Sequence, residues 1–188
     1  MRNVHLILAL AAGLLPLATA QAAPADVPET GQITCFNAAG ASIACAGTGQ
    51  DGEHRAGVAW PNPRFVVDGT GNCVTDNLAG LMWVRAPSAP APWDMALTNA
   101  NNLVLCGFSD WRLPNVNELE SLVNSEAADP AAFLNAQGFT NVQASTYWSS
   151  SSAAFLLLFA WWVGMNDGAV FYGDKNLFNH VWPVRAGQ

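Results

Sequence analysis

Side chains able to do covalent chemistry are few in this sequence and poorly assembled. Beyond the first turn of the chain the histidines are His54 and His180, and neither has a neighbour spaced as a nucleophile and its base would be. The run Ser149-Ser150-Ser151-Ser152 lacks the Gly-x-Ser-x-Gly setting of a nucleophile elbow and reads as a hydrogen-bonded loop. Glu118 and Glu120 stand two apart on a predicted helix, so they point in different directions and read as a cap and a solvated position. Asp68, Thr70 and Asn72 alternate as in a calcium loop. Ala79, however, stands where such a loop needs a bidentate glutamate, so this is a solvated turn. The expectation is a protein that is not an enzyme and that carries no cofactor and no metal.

Four cysteines remain as reactive groups, Cys35, Cys45, Cys73 and Cys106. None is followed by the close Cys-x-x-Cys partner of a zinc site. The chain opens on Arg2, an apolar run over residues 4–17 and small residues 18–22, the pattern of a secretory signal peptide over residues 1–22, with cleavage after Ala20 as the alternative. In an exported protein an even number of cysteines implies disulfides, and four permit three pairings. Cys35 with Cys45 flanks a turn, which favours that bond and leaves Cys73 to Cys106.

Removing 22 of 188 residues leaves 166, the size of one domain with its own core. No later apolar run reaches the ~20 residues that a membrane helix needs. The expected location is therefore periplasmic, cell-surface or secreted. The formal net charge of -7 falls by one more when Arg2 is lost, and the basic residues are scattered singly. Nucleic acid and anionic membranes are excluded as partners, since phosphate recognition needs clustered Lys and Arg.

The chemistry that remains is apolar recognition. Between Tyr147 and Arg185 the sequence becomes unusually rich in Phe, Leu and Trp. A segment of this kind is either core or a binding face, because soluble proteins rarely expose large apolar patches without a use for them. Burial would stabilise by roughly 1.5–3 kcal/mol per side chain, so packing is the competing reading. The expected ligand-binding residues are Phe155, Leu156, Leu157, Leu158, Phe159, Trp162, Phe171, Tyr172, Asp174, Leu177, Phe178, His180 and Trp182. Interface cores favour such side chains. A protein ligand fits so apolar a face best, and a cell-surface glycan stacked on the rings is the alternative.

These residues need a scaffold. Residues 23–57 read as a leader and a small hairpin around Asn37-Ala38-Ala39-Gly40, followed by a Gly-rich connection. Residues 58–188 read as the main domain, with its binding segment at 153–182. Short strands are expected at 65–68, 73–76 and 81–84, and a Pro/Ala linker at 87–92. From Trp93, apolar residues Ala96, Leu97, Ala100, Leu103 and Val104 recur at helical spacing. A second helix follows Asn115, with Glu118 completing a capping box, and a third begins at Asp129-Pro130 and stops by Gly138. Strands 160–165 and 169–172 flank Asn166-Asp167-Gly168, a hairpin turn, and 181–184 closes the sheet. Helices among short antiparallel strands give an α+β domain.

Several strings in this order carry a family resemblance: Cys73-Val74-Thr75-Asp76-Asn77, Gly80-Leu81-Met82-Trp83, Cys106 through Pro114, Glu118-Leu119, Tyr147-Trp148-Ser149-Ser150 and Pro183-Val184-Arg185. Together they resemble the DUF1566 or Lcl C-terminal domain family. That resemblance implies a C-type-lectin-like fold of the type found in the formylglycine-generating enzyme, on exported or surface proteins. It also implies an adhesin-like role, since one adhesin of this family binds sulfated polysaccharide. Formylglycine-type catalysis relies on late reactive cysteines, and the last cysteine here is Cys106. The shared Trp83, Trp111 and Trp148 suit a scaffold, with Asp110 expected to pair with Arg112 and Arg185 to join the same network.

The family carries polar, Asn-rich residues where this chain has 155–159 and 170–181. Buried positions do not exchange Asn for Leu readily, because an unpartnered amide costs ~1–3 kcal/mol. Phe, Leu, Ala, Tyr, Asp, Gly, His and Asn are all reached from the codon AAC by changing adenines, and Trp182 is reached in the same way from an arginine codon. Some relatives are variable proteins of diversity-generating retroelements, which randomise adenines, and the resemblance extends that expectation to this segment. Drift on an edge strand is the other reading.

Overall fold

The computed structural model describes residues 27–187, so the expected signal peptide, with Arg2 and His5, lies outside the described residues. In chain order the elements are β1 (Cys35–Phe36), β2 (Ser42–Ile43), α1 (Asp51–His54), β3 (Phe65–Val67), β4 (Cys73–Asp76), β5 (Leu81–Val84) and β6 (Ser88–Ala91). There follow α2 (Trp93–Asn101), α3 (Val116–Glu120), α4 (Pro130–Ala136), β7 (Thr146–Ser152), β8 (Phe159–Gly164), β9 (Val170–Asp174), β10 (Asn179–Val181) and β11 (Val184–Ala186). The fold is α+β, and it is compatible with the C-type-lectin-like arrangement that the resemblance implies.

Three sheets form. β1 and β2 make a hairpin, β11-β5-β4-β3 an antiparallel sheet of four strands, and β6-β10-β7-β8-β9 a sheet of five. In the larger sheet only β10 beside β7 runs parallel. The expected closing strand is thus two strands: β10 lies between β6 and β7 in one sheet, and after Pro183 the chain enters the other as β11.

Alternation along β7 supplies both cores, because successive side chains leave a strand on opposite faces. Tyr147 points into a core with Trp83, Trp111, Leu119, Leu134, Phe139 and Trp182, while Trp148 points into a second with Ala96, Ala100, Leu113, Ala160 and Val181. Small residues at Ala96 and Ala100 let α2 lie close over this second face. Two of the indole N–H groups buried in the process find carbonyls, Trp148 Nε1 donating to Ala91 O at 3.0 Å and Trp182 Nε1 to Val84 O at 2.8 Å, while the Trp83 N–H is buried without a partner. The two bonded indoles avoid the cost of an orphaned buried donor.

Local signals in the sequence are realised at the helix ends. Asn115 Oδ1 accepts from Glu118 N at 2.9 Å and Glu118 Oε2 from Asn115 N at 2.8 Å, a complete capping box. Asp129 caps α4, with Pro130 in its first turn. The turn at 165–168 carries Gly168 at φ +78°, the left-handed region that glycine enters without strain.

Three expectations are corrected. The Pro/Ala segment is not a linker, since residues 88–91 form β6, paired with β10. It is an edge strand, the one sheet position that tolerates a proline such as Pro90. The first helix stops at Asn101, and Val104 is 73% exposed outside its apolar face. Asp110 pairs with Arg185, at 2.7 Å, while Arg112 pairs with Glu118, at 2.6 Å. The disulfides are Cys35–Cys45 and Cys73–Cys106, as expected.

The segment before Phe65 is tied down by carboxylates, a backbone carbonyl and a buried ion pair. Glu126 accepts hydrogen bonds from the Ile33 and Thr34 amides and from the Thr34 hydroxyl. Trp60 Nε1 donates to Glu29 O at 2.8 Å. Arg64 and Asp76 are buried together as a bidentate pair at 3.0 and 2.9 Å, beneath the Trp60 ring, whose centroid lies 4.3 Å from the guanidinium.

Candidate ligand-binding surface

Two strands and two turns place the apolar residues. β8 and β9 pair with Trp161 opposite Tyr172 and Trp162 opposite Phe171, so each cross-strand pair joins two rings, and the two pairs lie on opposite faces of the sheet because successive side chains alternate. The segment 153–158 folds back as a tight turn, closed by Leu156 N to Ala153 O at 2.9 Å, Phe159 N to Leu156 O at 2.8 Å and Ala153 N to Phe159 O at 3.0 Å. Four consecutive apolar side chains are thereby held outside the core. Phe155 is 62% exposed, Leu157 78% and Leu158 72%, with Leu156 also exposed.

The rings form one continuous cluster. Tyr172 meets Phe155 at 5.1 Å, Trp161 at 5.5 Å, Phe159 at 6.0 Å and Phe171 at 4.9 Å between centroids, and Phe171 meets Trp162 at 5.9 Å. Phe171 stacked on Tyr172 carries the cluster around edge strand β9 from one face of the sheet to the other. Bare backbone at Gly173 lets the Trp162 indole lie against the sheet. A Cβ there would stand 3.0 Å from Trp162 Nε1 and 3.2 Å from Leu177 Cδ1. Leu177 therefore belongs to the same surface, and Phe178, 68% exposed, follows it on the turn between β9 and β10.

Other expected site residues divide. Asp174 is half-buried and accepts from Asn176 N and Nδ2, each at 2.9 Å, which shapes the turn. His180 is half-buried, stacks on Tyr147 at 5.1 Å and sets its Nδ1 3.1 Å from Ser88 O. Trp182 is not part of the surface: it is wholly buried among Trp83, Phe139 and Tyr147. Its neighbour Pro183 turns the chain toward the other sheet, which commits the indole to the core between them. Trp161, by contrast, is a cluster member that the sequence reading passed over. Alternation from Phe159, two residues before, would have identified it.

Groups considered for chemistry serve the framework. Ser149 Oγ donates to Trp161 O at 2.7 Å, and Ser151 Oγ accepts from Val116 N at 3.2 Å. Burial would raise the Glu118 carboxyl, but bonds from Arg112 and the Asn115 amide outweigh it and hold Glu118 below its ordinary value. Asp68 lies near Cys73 and Cys106, whose sulfurs are joined to each other and so have no thiolate to offer a metal. His54 sits on α1 and His180 on β10, in different parts of the fold.

Concave sites lie elsewhere. A cavity of about 390 Å³ is lined by Val27, Thr30, Glu120, Val123 and Gly168, and one of about 370 Å³ by Val84, Ser88, Leu103, Val181 and Pro183. Neither shares a lining residue with the ring cluster. The cluster is a surface wrapped around the β9 edge rather than a pocket, suited to a partner that covers it.

Fold and surface together define a disulfide-bonded α+β scaffold with an exposed apolar face on its outermost strand pair. Its sequence matches the Lcl C-terminal domain over residues 72–185, and the chain belongs to this family. No curated protein matches the chain. Among the described residues no helix is long and apolar enough to cross a membrane.

Proposed function

We propose that this protein is an exported, non-catalytic binding module that meets a protein ligand through the apolar surface around the β9 edge, built on 155–159, Trp161, Trp162, Phe171, Tyr172, Leu177 and Phe178. The observation that carries this reading is the exposure of four successive apolar residues, 155–158, beside a continuous ring cluster in a domain whose other large rings are mostly buried. An interface of aromatic and aliphatic anchors is what a protein partner covers, and covering it removes the cost of keeping these groups in water. The acidic chain disfavours sulfated polymers. Both disulfides suit an oxidising location and support export. The pairing of all four cysteines supports the non-catalytic part of the reading, because formylglycine-type chemistry needs free thiols.

The test is a parallel probe of arrayed extracellular proteins and arrayed glycans with the wild type and with Leu157→Asp/Leu158→Asp. Saturable binding to a protein, lost in the variant, is expected. A saturable glycan signal that survives the substitutions would overturn the reading. We further propose that the exposed part of 153–182 is diversified. The gene locus decides this: a near-copy differing at adenines, beside a reverse transcriptase, is expected, and a locus without them ends the idea.

A further inference from the structure

Lys175 lies at the foot of the apolar turn, and four contacts converge on it. Its amide donates to Leu158 O at 2.9 Å and its Nζ donates to Leu157 O at 2.9 Å, so one residue holds two successive carbonyls of the exposed turn. Its own carbonyl accepts from Trp93 N at 2.9 Å. Trp93 opens α2, where Pro92 offers no side-chain cap, and this bond satisfies one of the amides that every helix start leaves orphaned. The ammonium also stands 4.3 Å from the centroid of the Trp93 ring, whose Nε1 donates to Ser149 O at 2.8 Å on β7.

We infer that Lys175 is a positioning residue for the binding face: it fastens the turn 154–158 to α2 and β7 and so fixes the shape in which Phe155 and the three leucines are presented. The side chain is suited to this task. An exposed apolar turn has no core of its own, and its internal bonds alone leave it free to open. A charge-assisted bond to Leu157 O together with a cation over an indole supplies the missing tie. A turn already held in one shape loses less freedom when a partner covers it, which strengthens binding without a new contact. Lys175 thus sets affinity while standing beside the hydrophobic surface. That functional half of the inference rests on the ligand-binding reading; the structural half does not.

The experiment compares wild type, Lys175→Met and Lys175→Arg by amide hydrogen exchange on the whole protein. Methionine keeps the aliphatic stem without the charge, while arginine can still reach a carbonyl and lie over an indole. In Lys175→Met the Leu156 and Phe159 amides should exchange about tenfold faster, with those of Ala160 and Val163 unchanged, the signature of local opening. Lys175→Arg should restore the wild-type rates. Trp93 emission should shift in the methionine variant only. Unchanged turn exchange in Lys175→Met would overturn the inference, and so would an arginine variant as fast as the methionine one. Because the readout needs no ligand, it stands or falls separately from the binding reading.

Discussion

Arg185 Nε lies 2.7 Å from Asp110 Oδ1 and Nη2 lies 3.1 Å from Oδ2, a bidentate pair between residues 75 positions apart. The guanidinium also stands 3.7 Å from the centroid of the Phe108 ring. Two separated strings of the sequence, one around Trp111 and one at Pro183-Val184-Arg185, are joined by this contact, and backbone bonds between Arg112 and Val184 run beside it. The Arg185 side chain is 6% exposed and that of Asp110 59%, so the buried partner is the one whose replacement matters. Arg185→Lys keeps the charge but loses the fork and the stacking, and should lower unfolding stability by about 1–2 kcal/mol in urea titrations.

The Arg64–Asp76 pair should be far less forgiving, because both members are buried. Asp76 Oδ1 also accepts from Leu78 N at 3.0 Å, and Arg64 Nη2 donates to Ser121 O at 2.7 Å. Arg64→Met leaves a carboxylate buried without its counterion and should cost about 3–5 kcal/mol. The double change Arg64→Met/Asp76→Asn should cost less than the sum of the single changes, read by a denaturation cycle.

Core and surface members of the C-terminal segment should separate cleanly. Trp182→Ala removes a wholly buried indole and is expected to cost about 3–5 kcal/mol. Leu157→Asp and Leu158→Asp alter exposed side chains and should stay within about 0.5 kcal/mol of wild type. Thermal unfolding of the three variants checks the contrast. A large loss in either leucine variant would mean that the turn is structural.

Tyr147 gives the fold an alkaline limit. Burial pushes its phenol up to about 12, only partly offset by its bond to Gln143. An unfolded tyrosine ionises near 10, so below about pH 10 the stabilisation is complete, and between about 10 and 12 the unfolded chain alone gives up the proton. Stability should therefore fall across that window by up to about 1.4 kcal/mol per pH unit. Tyr147→Phe should remove this slope, as measured by denaturant midpoints from pH 9 to 12.

How much of this was legible in the sequence follows from the range of the interactions. The capping box at Asn115 and Glu118, the Asp129-Pro130 start and the Asn166-Asp167-Gly168 turn depend on neighbours in the chain, and each was readable. Exposure of Phe155, Leu157 and Leu158 is implied by the family resemblance, whose members carry asparagine there, because a buried position does not readily exchange leucine for asparagine. What escaped was long-range. Nothing near Asp110 indicated that Arg185 would claim it and leave Arg112 to Glu118. Nothing in 87–92 indicated that β10 would arrive to make those residues a strand. Trp182 was assigned to the wrong side because its composition resembled the exposed residues before it, while its direction was set by the change of sheet at Pro183.

The bare backbone of Gly173 has a consequence for how this face can vary. The exposed side chains around it carry whatever character the surface has, and Phe171, Leu177 and Phe178 can be exchanged for larger, smaller or more polar groups with little effect on either core. Position 173 is different, since a methyl group there would stand 3.0 Å from Trp162 Nε1 and 3.2 Å from Leu177 Cδ1, and both side chains would have to give by a few tenths of an ångström. The surface is rewritable in its lettering more than in its paper: a lineage, or an engineer, can explore many specificities here, and any side chain added at position 173 has to be met by a shift of Trp162 and Leu177.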